Sequence, residues 1–282
     1  MRTLFMKTNT KKQDFNKTGN TTVSVVRSAM FAPTLKRNRN KGQDIIFQNS
    51  WASLKVPSKY NHLTQTHLNI LDLIFANATE SIKLLNGELV LKFNVWKILK
   101  ALGQTGYNYE WLKDKLDDLQ TTLTILKTKD YELHETIIHF HKWTKTPNDN
   151  IQKKGFTKDK NEFGNLYGVC FNSSFVKFFN IDVNLNYVKI LPDILALPSG
   201  VLQAFVRFCI SHDKLNMKLT DILINIRAID NIISERTKER IIKGINDNSN
   251  ILFEKFKIQI KDGIVYYDHS NADSIYFLTH QQ

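Results

Sequence analysis

The chain has 282 residues, 42% hydrophobic and 23% charged, a composition that favours one large or two ordinary folded domains over an extended polar chain. No apolar run approaches the length of a bilayer span and no apolar secretory core opens the chain, so a cytoplasmic protein with no membrane contact is expected. Cys170 and Cys209 both sit in apolar contexts and read as buried thiols of a reducing compartment, not as a disulfide or metal site.

The net charge of +12 is unevenly placed. Residues 1–41 carry ten Lys/Arg against Asp14 alone, whereas residues 42–191 carry a surplus of three and the remainder none. A basic arm ahead of near-neutral folded segments is suited to condensing on phosphate. Within it, Val23–Phe31 (VSVVRSAMF) is apolar enough to dock, and Lys36, Arg37, Arg39 and Lys41 follow.

Ile45–Phe47 reads as a short strand. Thr64 is a candidate cap for a helix in which Leu68, Leu71, Ile74, Phe75 and Ala78 recur at helical spacing. Asn86-Gly87 between two apolar runs signals a hairpin. Asn94 then caps a helix over Val95–Leu102 that Gly103 ends. A second helix runs from Tyr109 to Thr121, capped by Asn108, with Leu112, Leu116, Leu119 and Leu123 along its buried side. Two β-like runs follow, Leu123–Lys127 and Glu132–Trp143. A polar stretch at about 142–165 is expected to form a long wing loop carrying Lys145, Lys153, Lys154, Lys158 and Lys160. Tyr167–Phe171 resumes as a strand and Ser174–Phe179 begins a short helix.

Pro192 and Pro198 mark a division near residue 190. Ser199 caps a helix with Leu202, Phe205, Val206, Cys209 and Ile210 on its core face. From Leu219 the earlier order returns with different residues: a short helix (LTDILINI), a break, a second helix (SERTKERIIKGIN), then a β-like run LFEKFKIQIKDGIVYYD turning at Lys261-Asp262-Gly263. Two helices and a hairpin, given twice, predict an α+β chain. It divides into a basic arm (1–41), a first winged-helix domain (42–190) and a second (191–282).

Three segments carry a further likeness. RSAMFAP at Arg27–Pro33, ILKALGQTG at Ile98–Gly106 and EWLKDKLDDL at Glu110–Leu119 resemble, in this order and at comparable spacing, the TrfA family of bacterial plasmid replication initiators. The similarity runs over about residues 22–130 and thins to layout beyond about 190. It implies a bacterial, plasmid-encoded, non-enzymatic protein. Such a protein would bind repeated double-stranded origin DNA (iterons), help to open an adjacent AT-rich region and recruit the host replicative helicase and chromosomal initiator protein. The resemblance leaves room for a monomer–dimer equilibrium. The chain departs from the family in its Lys/Asn-rich wing insert and its C-terminal half. A winged-helix transcriptional repressor is the competing reading.

Helical geometry separates the two candidate reading helices. With the leucine stripe buried, the first presents Glu110, Asp114, Asp117 and Thr121, an acidic face that repels phosphate, with Lys113 and Lys115 on its flanks. With Ile241, Ile242 and Ile245 buried, the second presents Arg236, Arg240 and Lys243 within about 60° of arc. Thr237 lies in the same early turns, where arginines reach guanine O6 and N7. The expected DNA contacts are therefore Arg236, Thr237, Arg240 and Lys243, with Lys36, Arg37, Arg39, Lys113, Lys153, Lys154 and Lys158 on phosphate.

No GxxxxGK[ST] loop occurs, so no intrinsic ATPase and no cofactor are expected. His134 and His139 are spaced one residue too far for a helical zinc pair and would lie about 140° apart. His139 and His141 flank Phe140 and would share one face of a regular strand; with Tyr109 and Lys113 they outline a metal-dependent DNA-nicking enzyme, the least favoured alternative.

Overall fold

The computed structural model describes residues 21–33, 44–60, 62–105, 108–143, 166–230, 233–271 and 276–278. Lys36, Arg37, Arg39, Lys145, Lys153, Lys154, Lys158 and Lys160 lie outside them. Among the described residues the chain is mixed α+β, with ten α-helices and four antiparallel sheets. No described helix is long and apolar enough to cross a membrane.

The chain starts with β1 (Thr21–Thr22), α1 (Val23–Arg27), β2 (Ile45–Gln48) and β3 (Ala52–Val56). Helix α2 (Gln65–Asn77) follows, then β4 (Ala78–Lys83), β5 (Leu89–Asn94), α3 (Val95–Ala101) and α4 (Tyr109–Thr121). Next come β6 (Thr124–Thr128), β7 (Glu132–Glu135), β8 (Ile138–Trp143), β9 (Leu166–Phe171) and α5 (Ser173–Ile181). Strand β10 (Asn184–Asn186) and α6 (Leu191–Leu195) lead to α7 (Gly200–Ile210), β11 (Lys214–Lys218) and α8 (Leu219–Asn225). The chain closes with α9 (Glu235–Asn246), α10 (Ser249–Phe256), β12 (Gln259–Lys261), β13 (Ile264–Asp268) and β14 (Tyr276–Leu278).

Local chemistry accounts for most boundaries. Thr64 and His67 form a reciprocal capping box at the start of α2. Asn94 and Ser199 accept the backbone N–H groups of Lys97 and Leu202, capping α3 and α7. Gly87, at φ 87°, supplies the left-handed residue of the β4–β5 turn. Asp262 and Gly263, at φ 51° and 74°, close a two-residue turn of the kind that matches strand twist.

The two halves repeat one order: helix, strand, helix, helix, two strands. It runs α2, β5, α3, α4, β8, β9 in the first half and α7, β11, α8, α9, β12, β13 in the second, which adds α10 after α9. In both, the last strand lies in the middle, giving β5–β9–β8 and β11–β13–β12. The first half adds β4 at its sheet edge and inserts the β6–β7 hairpin, which joins β2 and β3 in a separate sheet. Buried residues of both halves enter one hydrophobic cluster.

Two expectations need correction. The run Glu132–Trp143 is two strands in two sheets, because Ile137 and Ile138 are adjacent and both fully buried. One half-exposed strand cannot bury two successive side chains, so the chain changes sheet there. Residues 252–256, read as the start of a β-run, belong to helix α10: Leu252 and Phe256, four apart, go under while Ile251 and Phe253 stay exposed. Spacing of four fits both periods, so the pattern was ambiguous. Residues 21–33, which hold the apolar segment Val23–Phe31, pack on the fold. Helix α1 packs on α7, and Val25, Val26, Met30 and Phe31 are buried. The Ser24 N–H and hydroxyl donate to Asp182, and Gln65 Nε2 donates to the Phe31 carbonyl at 2.5 Å.

A buried polar network links the first helices of the two halves. Arg207 on α7 donates to Asp72 at 2.7 Å, Asn69 at 2.7 Å and Gln65 at 2.8 Å, all on α2, and to the Tyr187 hydroxyl at 3.1 Å. Tyr187 in turn donates to Asp72 at 2.9 Å, and Asn69 to Gln203 at 2.9 Å. Burial alone lowers the Arg207 pKa, but Tyr187 and Asp72 outweigh it and keep the guanidinium charged. A charge this deep is tolerable only because its donors are occupied.

Candidate nucleic-acid interface

Helix α9 is built to show one face. Ser234 precedes it, and the Ser234 and Thr237 hydroxyls lie 3.0 Å apart at its first turn. Only Ile245 is fully buried, with Ile241 and Ile242 half-buried against the core. Arg236, Arg240 and Lys243 are exposed on the opposite side, and no ion pair holds them among the described residues. Lys238 instead pairs with Glu235 at 2.6 Å, which uses up one acid of this helix. The residues expected to meet DNA are thus displayed together, while half-buried Thr237 serves the helix start. Asp247 and Asn248 break α9 from α10, the Asn248 side chain donating to the Gly244 carbonyl at 2.7 Å. Helix α10 packs on α7 and β12, so it anchors α9 to the core. On β13 adjacent tyrosines divide as strand alternation requires, Tyr267 buried and Tyr266 exposed.

Helix α4 has the opposite character. Leu112, Leu116 and Leu119 are fully buried, each contributing about 1.5–3 kcal/mol. Glu110, Lys113, Asp114 and Thr121 are exposed. Asp117, expected on the outer face, is instead a tether: it accepts from His141 Nε2 at 2.9 Å, and His141 Nδ1 meets the Tyr167 hydroxyl at 2.5 Å. Asp118 takes His67 Nε2 at 3.1 Å and Lys115 Nζ at 2.9 Å, so Lys115 is engaged on the protein itself. Of the basic flanks, Lys113 alone remains exposed.

The nicking arrangement does not assemble. A register shift between Ile138 and Phe140 bulges β8 at His139, so that Phe140 opposes Cys170 and His141 opposes Val169. His141 consequently turns toward α4, while His139 meets Glu88 at 2.5 Å. Tyr109 packs edge-on against Tyr167, with ring centroids 6.0 Å apart. His134 lies on β7 in the other sheet. The expectation that His139 and His141 share a face is overturned by that one extra residue.

One cluster escaped the sequence reading. Glu88, His139 and Cys170 bring a carboxylate, an imidazole and a thiol within 4.8 Å of one another. Their numbers are far apart and no spacing signals them; the β5–β9–β8 order alone unites them.

No family model matches the chain and no curated protein matches it, so the likeness to TrfA initiators rests on the quoted segments. Among solved structures, the chain is similar to a crystal structure of selenomethionine derivatives of domains 2 and 3 of RctB. The two share 15% sequence identity with a TM-score of 0.48, over 86% of this chain and 95% of that one.

Proposed function

We propose that the chain is a non-enzymatic replication initiator that binds repeated origin DNA through two winged-helix units. The observation that carries this reading is the trio Arg236, Arg240 and Lys243, exposed and without an ion pair among the described residues, on the third helix of a helix–strand–helix–helix–strand–strand unit. In winged helices that element enters the major groove. Arg236 and Arg240 lie in its early turns, suited to guanine edges, and Lys243 is placed for phosphate. Lys36, Arg37, Arg39, Lys113, Lys153, Lys154 and Lys158 add phosphate contacts that strengthen binding at low salt. The acidic α4 leaves the first unit to act through its wing or through protein association. Origin opening and recruitment of helicase and chromosomal initiator extend the reading by the TrfA resemblance.

Binding-site selection at fixed salt on the wild type and single variants tests the assignment. Arg236→Ala and Arg240→Ala are expected to cost about 1–3 kcal/mol at the selected site and relax its base preference. Lys243→Ala is expected to weaken binding without changing the preference. Arginine variants that keep both the wild-type site and affinity would remove α9 from the interface. Replication of a plasmid lacking its own initiator, supplied with this chain, separates an initiator from a repressor.

A further inference from the structure

We propose that Glu88, His139 and Cys170 form a binding site for a divalent transition metal of borderline softness, with zinc the best match. Each ligand comes from a different strand region of one sheet: Glu88 from the turn before β5, His139 from the bulge of β8, Cys170 from β9. The β8 bulge sends His141 to the α4 side and leaves His139 beside Glu88. His139 Nδ1 lies 2.5 Å from Glu88 Oε1, and Cys170 Sγ donates to Glu88 Oε2 at 3.5 Å. Zinc bonds of about 2.0–2.3 Å in tetrahedral array separate donors by roughly 3.3–3.8 Å. The Cys170–Glu88 spacing already fits, and the imidazole, which lies within 4.8 Å of both partners, would shift by about 1 Å to bring its distance from Glu88 into that range. The His139 side chain is 56% exposed, so it can make that movement and leaves an entry path.

The donor set selects the ion. A thiolate with an imidazole disfavours magnesium and calcium, which require oxygen ligands, and favours zinc or cobalt. Three protein ligands leave a fourth position for water. Burial pushes the Glu88 carboxyl up, but hydrogen bonds with Asn86, His139 and Cys170 outweigh it and keep the carboxylate ionised. Burial, with Glu88 beside it, pushes the Cys170 thiol up to about 12. On binding, Sγ releases its proton to solvent and gives the freed lone pair to the metal, so affinity rises with pH. The ion would pin the β4–β5 turn to the strands β8 and β9.

Titration of the full chain with Co²⁺ reads this site directly. The expected result is one equivalent producing thiolate-to-cobalt charge transfer and the visible bands of a four-coordinate ion, both displaced by Zn²⁺ and weakened at lower pH. Cys170→Ser should abolish the charge transfer with circular dichroism unchanged. Because Cys170 is buried, exposed His139→Gln is the second variant, expected to weaken binding beyond the roughly 10–100-fold cost of losing an outer-shell partner. Absence of charge transfer in the wild type, its survival in Cys170→Ser, or unchanged affinity in His139→Gln each overturns the proposal.

Discussion

Helices α4 and α9 occupy corresponding places in the two halves and spend their charges in opposite ways. In α4 two of the acids are committed to neighbours: Asp117 holds His141 of β8, and Asp118 holds His67 of α2. Three leucines lie beneath them at zero exposure. In α9 a single fully buried residue, Ile245, seats the helix, and Arg236, Arg240 and Lys243 are left facing solvent. A helix cannot commit one set of charges both to its own fold and to a partner. The fold-holding helix is therefore the poorer candidate for DNA, although its stretch carries the clearer family likeness.

The largest break in that comparison targets what makes the halves one body. Arg207→Ala leaves Asp72 as a buried charge without its cation and is expected to cost about 3–5 kcal/mol. Denaturant unfolding followed by Trp fluorescence and by circular dichroism should then lose coincidence, because α2 and α7 no longer share the pair. A smaller loss with transitions still coincident would place the coupling in apolar packing instead.

Acid is expected to strike the second half's side of the joint. His212, just after α7, is held down to about 4 by burial, with Arg27 adding repulsion. Its neutral ring donates Nδ1–H to the Phe208 carbonyl at 2.8 Å, and buried Nε2 has no partner among the described residues for a second proton. The folded pKa lies below the unfolded value near 6.5, so the unfolded chain binds more protons between about 4 and 6.5. Stability should be complete above that window and fall through it by on the order of 2–3 kcal/mol. Equilibrium unfolding across pH checks this; a His212→Gln variant should flatten the slope.

The smallest effects sharpen the contrast within α4. Asp117→Asn replaces the carboxylate that accepts from His141, whose side chain is 4% exposed, with a weaker neutral acceptor and is expected to cost about 1 kcal/mol. Asp114→Asn, fully on the solvent side, is expected to stay within about 0.5 kcal/mol and not to reduce DNA affinity. Thermal melts and a binding titration distinguish the two. Equal costs would mean that Asp114 is also a tether.

What the sequence determined by itself is local. Thr64, Asn94 and Ser199 cap because a short polar side chain reaches orphan N–H groups within its own first turn. Asn86-Gly87 and Asp262-Gly263 turn because positive φ is tolerated there. The stripes of α4 and α9 follow from 3.6-residue periodicity, so their outer faces were readable except at Asp117. Tertiary structure decided everything that depends on register between distant segments: the change of sheet at Ile137–Ile138, the bulge that parts His139 from His141, the burial of Arg207 and the meeting of Glu88 with Cys170. These outcomes lie beyond sequence periodicity, because a strand's partners and a side chain's burial are set by whatever the rest of the fold brings alongside.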